Sequence, residues 1–457
     1  MRVRHLSASS VVVEGDDTRV LCDPWLADGA FYGAWAHYPP LQFDPEDYAD
    51  VDYIYVSHIH PDHCHGETLA QLDDDVPVLI HDYQTDFLGR NIEAHGFEVQ
   101  ELSHDERTHL GGDLHLNIMA ADDCDPEACG SYFGCAWWME SQGAGGAQGS
   151  TQIDSMGVFD DGEHVLVNAN DCRWPMSAGV CERVRRGYGD IDMLLMQYGA
   201  ANFYPQCMGD LSSQEKLLEK SRVAIEMLDD AASFIEVLEP DYYMPFAAGY
   251  VLAGSNADYN PYVAVSDKID ACGYLAECDA VPDDAEPVLL NSEAIFDIET
   301  GRQSEPYAPV DERQKRSYIE NVLAERTYTF EDDPMPSVAE FEEMLPRAYE
   351  HFEDKRRDIG FETETDVFLR LPDRQFGQIS FQGEGVEVVN QAAYEDAERY
   401  VRMDIDPRLL SRILQGPKHA HFNNAQIGSH IDFYKEPDVY ERPLYYAMSF
   451  FHTPVGA

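Results

Sequence analysis

The stretch Val56-Ser57-His58-Ile59-His60-Pro61-Asp62-His63-Cys64-His65 places four potential metal ligands, His58, His60, Asp62 and His63, within six residues. It directly follows the apolar run Tyr53-Ile54-Tyr55-Val56, which reads as a buried strand. Side chains two apart on an extended chain point the same way, so His58 and His60 can present their imidazoles to one metal as the strand ends. Pro61 stops the strand. Asp62 and His63 fall where the chain turns into a short helical segment, 66–72, and can reach a second ion beside the first. A carboxylate and three imidazoles suit zinc, iron or manganese, so the expected cofactor is one or two divalent metal ions.

Two more aspartates sit at strand ends. Residues 18–22 read as a strand running into Asp23-Pro24-Trp25-Leu26, where Asp23 can either hydrogen-bond a ligand histidine or cap the turn. Residues 156–159 and 164–168 read as a hairpin around Asp160-Asp161-Gly162 that delivers Asn170-Asp171-Cys172. A carboxylate far from the histidines in sequence can bridge two ions and hold them about 3.5 to 4 Å apart. Asp171 is the candidate for that bridge, with a strand-end turn residue as the plainer alternative. Asp62 and Asp23 are the catalytic candidates.

The elements that must position these groups alternate between strand and helix. Residues 2–14 and 18–22 read as two strands joined at Gly15-Asp16-Asp17, a hairpin signal. Strands follow at 76–81, 99–102 and 114–119, with a helix over 83–95 that turns Phe87 and Ile92 inward. The pattern breaks over 120–151, which carries Asp122-Asp123-Cys124-Asp125, Cys129, Cys135, Trp137, Trp138 and a glycine-rich run, and reads as a long loop. A strand at 191–197, a long helix over 212–238 with a Ser212/Glu215 capping box, and a strand at 241–246 complete two sheets between helices. A boundary is expected near residue 300, dividing 1–300 from a C-terminal α+β domain, 301–457. There, charged helices at 311–326 and 338–352 precede short strands and a helix with Leu409, Leu410, Ile413 and Leu414 on one face. His419, His421, His430 and Asp432 form a polar group whose spacing fits no metal motif well, so packing is the expected role.

Composition excludes several classes. Acidic residues number 86 against 31 basic, a formal charge of -55, yet 44% of the 457 residues are hydrophobic, so the chain folds. Charge spread along the whole chain suits a surface that stays hydrated in concentrated salt, and a halophilic source is the expectation. It disfavours nucleic acid as a partner. Ten cysteines without a Cys-x-x-Cys pair point to reduced thiols rather than a disulfide framework. No apolar stretch has signal or membrane length, so the protein is expected to be cytoplasmic, without membrane insertion.

The His-x-His-x-Asp-His pattern resembles the signature of the metallo-β-lactamase superfamily, which implies an αββα sandwich and, most often, hydrolase activity. Asp23 to Leu26, the motif at 58–63, and the segments 167–172, 199–205 and 245–250 also occur in the order seen in the β-lactamase-like part of CMP-N-acetylneuraminate hydroxylase. Residues 427–440 follow more loosely. The chain departs from that enzyme in lacking the paired Cys-x-His and Cys-x-x-His of a Rieske cluster, so no such cluster is expected. The superfamily's third histidine has no counterpart in Ser150, Gln152 and Asp154. His104, His109 or the acidic loop at 122–125 remain candidates for it, and Asn256 stands near the place of the late histidine. Residues 366–438 are faintly similar to a sterol-carrier-type lipid-binding domain.

The leading expectation is a metal-dependent hydrolase of a small-molecule substrate, in which a metal-activated water attacks. An iron-dependent oxygenase fed by a separate redox partner is the alternative. A ligand- or lipid-binding protein with a degenerate site is the third.

Overall fold

The computed structural model describes residues 1–83, 86–121, 154–381 and 385–454. Two sheets face each other. The first has eight strands, in the order Arg302–Gln303, Ile295–Asp297, Arg2–Ser7, Ser10–Glu14, Arg19–Cys22, Tyr53–Tyr55, Val78–His81 and Val99–Leu102. The second has seven, in the order Glu286–Pro287, Pro240–Phe246, Ile191–Gln197, Val165–Asn168, Ser155–Asp160, Leu114–Ala120 and Thr108–Gly111.

Strand alternation explains the layering. Along Ile191–Gln197, Met193 and Leu195 point into the core between the sheets, where they meet Val13, Val20, Tyr55 and Phe159. Leu194 and Met196 point the other way, into a core shared with the helices Trp174–Tyr188 and Ser213–Leu238. On the outer face of the first sheet, Leu21, Ile54 and Ile80 pack against Leu69, Leu88 and Ile92 from its own short helices. The result is the expected αββα sandwich followed by a C-terminal α+β part.

That C-terminal part has a five-stranded sheet, Gly385–Asn390, Gln375–Ser380, Asp366–Arg370, Tyr400–Ile405 and Ile431–Glu436. The helices Val338–Asp358 and Pro407–Gln415 bury Phe341 and Leu345, and Leu409, Leu410, Ile413 and Leu414. The amphipathic face read from sequence is thus the one the second helix uses. The core here is not confined to the C-terminal part. It includes Trp25, Phe31, Trp35 and Tyr250 of the sandwich, with the Trp35 and Tyr250 rings stacked 3.4 Å apart.

Some local readings change. Residues 2–14 form two strands, because Ala8 takes a positive φ of 41° and turns the chain so that Ser7 pairs with Ser10. The helix expected over 83–95 covers Phe87–Glu93, with Leu88 and Ile92 inward and Phe87 55% exposed, beneath the Arg90 guanidinium. Helix Trp174–Tyr188 and strands Tyr400–Ile405 and Ile431–Glu436 were not anticipated. Of the loop expected over 120–151, residues 122–151, with the acidic run at 122–125, the cysteines and the tryptophans, lie outside the described residues, whereas Ala120 closes the strand Leu114–Ala120. Among the described residues, no helix is long and apolar enough to cross a membrane.

Candidate metal centre

The site lies where parallel strands end. Tyr55 pairs in parallel register with Cys22 and Leu79, and Leu195 with Asn168 and Met244, so the carboxyl ends of both sets emerge at one edge. Open α/β sheets bind ligands at such edges. Two non-glycine residues with positive φ turn the chain there: Asp23 at 47° and Asn170, just before Asp171, at 46°. Such conformations are uncommon and are held by neighbours. Asp23 N donates to Tyr55 O at 2.8 Å, and Asn170 Nδ2 to Ser155 O at 3.1 Å.

Ser57 organises the histidines. Its backbone N–H donates to Asp23 Oδ1 at 2.7 Å, and its hydroxyl to Asp23 Oδ2 at 2.9 Å. The hydroxyl oxygen lies 3.0 Å from His58 Nδ1, and Asp23 Oδ2 lies 2.9 Å from His63 Nδ1. These partners assign the ring protons: His58 and His63 each donate from Nδ1, which leaves both Nε2 lone pairs facing the site. A carboxylate behind a ligand histidine is the usual outer support of a metal centre.

The inward atoms converge. Ligand atoms of His58, His63 and Asp171 all lie within 4.8 Å of one another. His63 Nε2 is 3.5 Å from Asp171 Oδ1 and 3.6 Å from Asp62 Oδ2. His58 Nε2 and His60 Nδ1 face each other at 3.0 Å, a separation that needs a shared proton or a cation between them. Asp171 Oδ1 is buried and accepts no hydrogen bond among the described residues.

The electrostatics ask for positive charge at the same place. Burial opposes protonation of His63, but Asp171, Asp23 and Asp62 together hold its pKa well above the usual value. Burial pushes His58 well below its usual value, helped by the neighbouring His63 and His60, and brings His60 down to about 4 against the pull of Asp171. Burial raises Asp62 to about 7, with Asp171 and Asp23 adding to the shift and His63 opposing it. Three imidazoles and two carboxylates around a buried point, with one oxygen lacking a donor, fit a divalent cation.

The structure thus gathers His58, His60, Asp62, His63 and Asp171 at one place, with Asp23 behind His63. Other candidates lie elsewhere. His104 Nδ1 accepts from Ala120 N at 3.1 Å, and His109 Nε2 is tied to Gly112 O at 3.1 Å within its own hairpin. Asp154 Oδ1 is 3.7 Å from His58 Nδ1, on the far side of that ring, whereas Ser150 and Gln152 are outside the described residues. Asn256 donates to Ser429 O at 2.8 Å and so binds the C-terminal part. His430 packs on Tyr328 and Phe330, and Asp432 accepts from Tyr259 at 2.6 Å.

Sequence reasoning missed two residues. Ser57 carried a signal, as the hydroxyl between strand and motif. Asn423 carried none: it reaches His60 Nε2, at 3.1 Å, from a helix more than three hundred residues further along the chain.

Residues 2–123 match the family model of the beta-lactamase superfamily domain. A Mycolicibacterium smegmatis (strain ATCC 700084 / mc(2)155) protein named "Putative Rieske 2Fe-2S iron-sulfur protein" is 30% identical over 211 residues, covering 45% of this chain and 35% of that protein. The chain therefore matches about a third of that relative's length. Solved structures with a similar outline include isothiocyanate hydrolase from Delia radicum gut bacteria, at 14% identity and TM-score 0.44 over 65% of this chain and 99% of that one. Another is CmlA, a diiron beta-hydroxylase from Streptomyces venezuelae, at 15% identity and TM-score 0.37 over 63% and 52%.

Proposed function

We propose that the chain, whose residues 2–123 match the beta-lactamase superfamily domain, is a metal-dependent hydrolase of a small-molecule ester, amide or phosphoester, working in the cytoplasm. The observation that carries this reading is the convergence of His58, His63 and Asp171, whose ligand atoms lie within 4.8 Å although Asp171 is remote in sequence. When bound, a divalent cation acidifies water towards neutrality and polarises the oxygen of the scissile group. His58 and His60 would hold one position, Asp62 and His63 a second, and Asp171 would lie between them. Asp23 and Ser57 fix which ring nitrogens face inward. Asp62, whose Oδ2 lies 3.6 Å from His63 Nε2, would take up or release the proton of that water through its carboxylate.

Metal analysis of natively purified full-length chain, paired with turnover on a panel of generic esters, tests this reading. Wild type is expected to carry a stoichiometric divalent ion and to turn over. His60→Ala is expected to lose both. A His60→Ala protein with full metal content and undiminished turnover would refute the assignment.

The relative whose name includes a Rieske cluster favours one second reading, an iron-dependent oxygenase that receives electrons from a separate protein. The earlier resemblance to CMP-N-acetylneuraminate hydroxylase points the same way. Iron in the native protein, with oxygen consumption under an added reductant, supports it. Zinc alone, with no oxygen uptake, excludes it.

A further inference from the structure

We infer that Asn423 is a positioning residue for the metal centre, so that the C-terminal part completes a site whose ligands all come from the sandwich. The inference rests on the metal reading above. His60 has two ring nitrogens and both are engaged. Nδ1 faces His58 Nε2 at 3.0 Å, and Nε2 accepts from Asn423 Nδ2 at 3.1 Å. A cation held between His58 and His60 takes the Nδ1 lone pair. A neutral ring then carries its proton on Nε2, which must donate. The amide meets that donor by presenting Oδ1, a rotation about one bond that exchanges its oxygen and nitrogen. Asn423 thereby fixes both the tautomer and the plane of the His60 ring, a task that Asp23 performs for His63.

Asn423 is held well enough for this. It lies near the start of the short helix Phe422–Ile427, and contacts to the sandwich tie down both ends of that helix. Ahead of it, His421 N donates to Tyr32 Oη at 2.7 Å. Beyond it, Ser429 O accepts from Asn256 Nδ2 at 2.8 Å, and its hydroxyl from Gln206 Nε2 at 3.2 Å. His430 Nε2 donates to Phe31 O at 2.7 Å. The spacing leaves no slack, since a Cβ on Gly428 would lie 2.7 Å from Phe31 Cβ. A shift of the segment thus breaks contacts on both sides of Asn423.

A hydrogen bond that only glues the two parts together would affect folding but not metal affinity. Titration of zinc against a competing chelator, on the full chain, separates the two roles. Asn423→Ala is expected to raise the zinc dissociation constant about 10- to 100-fold while the urea midpoint of metal-free protein stays near wild type. Asn423→Asp, which still accepts from Nε2–H, is expected to bind at least as tightly as wild type. Zinc is also expected to increase hydrogen-exchange protection of amides 421–430 in wild type and not in Asn423→Ala. Wild-type zinc affinity in Asn423→Ala, or equal weakening in both variants, would overturn the inference and leave the hydrolase reading standing. A wild-type chain that binds no zinc, iron or manganese would remove both.

Discussion

The carboxylate of Asp23 lies 2.9 Å from His63 Nδ1, on the side of the ring away from Asp171, and is itself wholly buried. A buried carboxylate in this position makes the far nitrogen more basic and stops the ring from turning. Asp23→Asn would put an amide N–H or a weaker oxygen against His63 and Ser57, which both donate there. The expected result is metal affinity lower by about 10- to 100-fold with the fold retained. Chelator competition and circular dichroism measure the two parts, and unchanged affinity would rule out this role for Asp23.

His5 governs part of the acid sensitivity. It is 6% exposed, and burial, with the Lys268 charge adding to it, brings its pKa down to about 3. Between its unfolded value and about 3, the unfolded state binds the extra proton, so stability falls as the pH falls through that window. His5→Gln removes the titration while its amide can still reach Asn291 O, which lies 3.3 Å from His5 Nδ1. From about pH 7 to about pH 4.5, wild type is expected to lose about 2 kcal/mol more than the variant in urea unfolding. Equal losses would show that His5 is not buried in its neutral form.

Gly209 marks a close approach between the sandwich and the C-terminal sheet. Its N–H donates to Phe433 O at 2.8 Å, and an added Cβ would lie 2.2 Å from the Tyr434 ring, which the Arg402 guanidinium covers at 4.0 Å. Gly209→Ala is expected to destabilise the chain by about 1 to 3 kcal/mol. Adding Tyr434→Ala should recover part of that loss in thermal unfolding. No recovery would place the strain elsewhere.

Charge sets the last expectation. With a formal charge of -55, self-repulsion opposes the compact state. Raising potassium chloride from about 0.1 to about 1 M shortens the screening length from about 10 to about 3 Å, and the urea midpoint is expected to rise. A flat or falling midpoint would argue that the acidic surface carries no such penalty.

Much of the site was legible because its ligands obey short-range rules. Four ligands in six residues just past a buried strand mark the site. That strand ends at Tyr55, three residues before His58, so contacts with Asp23, Ser57 and Asn423 rather than strand pleating aim the rings. Asp171 was legible as a strand-end carboxylate, and parallel pairing then brought it to the same edge. The helix Phe422–Ile427 was not legible: six residues with two asparagines carry no periodicity, and its place is set by contacts with residues such as Tyr32 and Asn256. The break at Ala8 was hidden for a similar reason, since alanine gives no warning of a positive φ. Phe87 misled because hydrophobicity alone does not say which helical face meets the sheet.

One apolar seam joins Trp25, Phe31, Trp35 and Tyr250 to Phe341, Leu369 and Phe433. Heat should therefore dissolve both halves of the molecule in a single calorimetric transition, even though the texture of the chain changes near residue 300. A gene shortened to its first three hundred codons would leave those rings naked, two positions from Asp23 at the nearest. Its product would be expected to clump in the cell before any chemistry began.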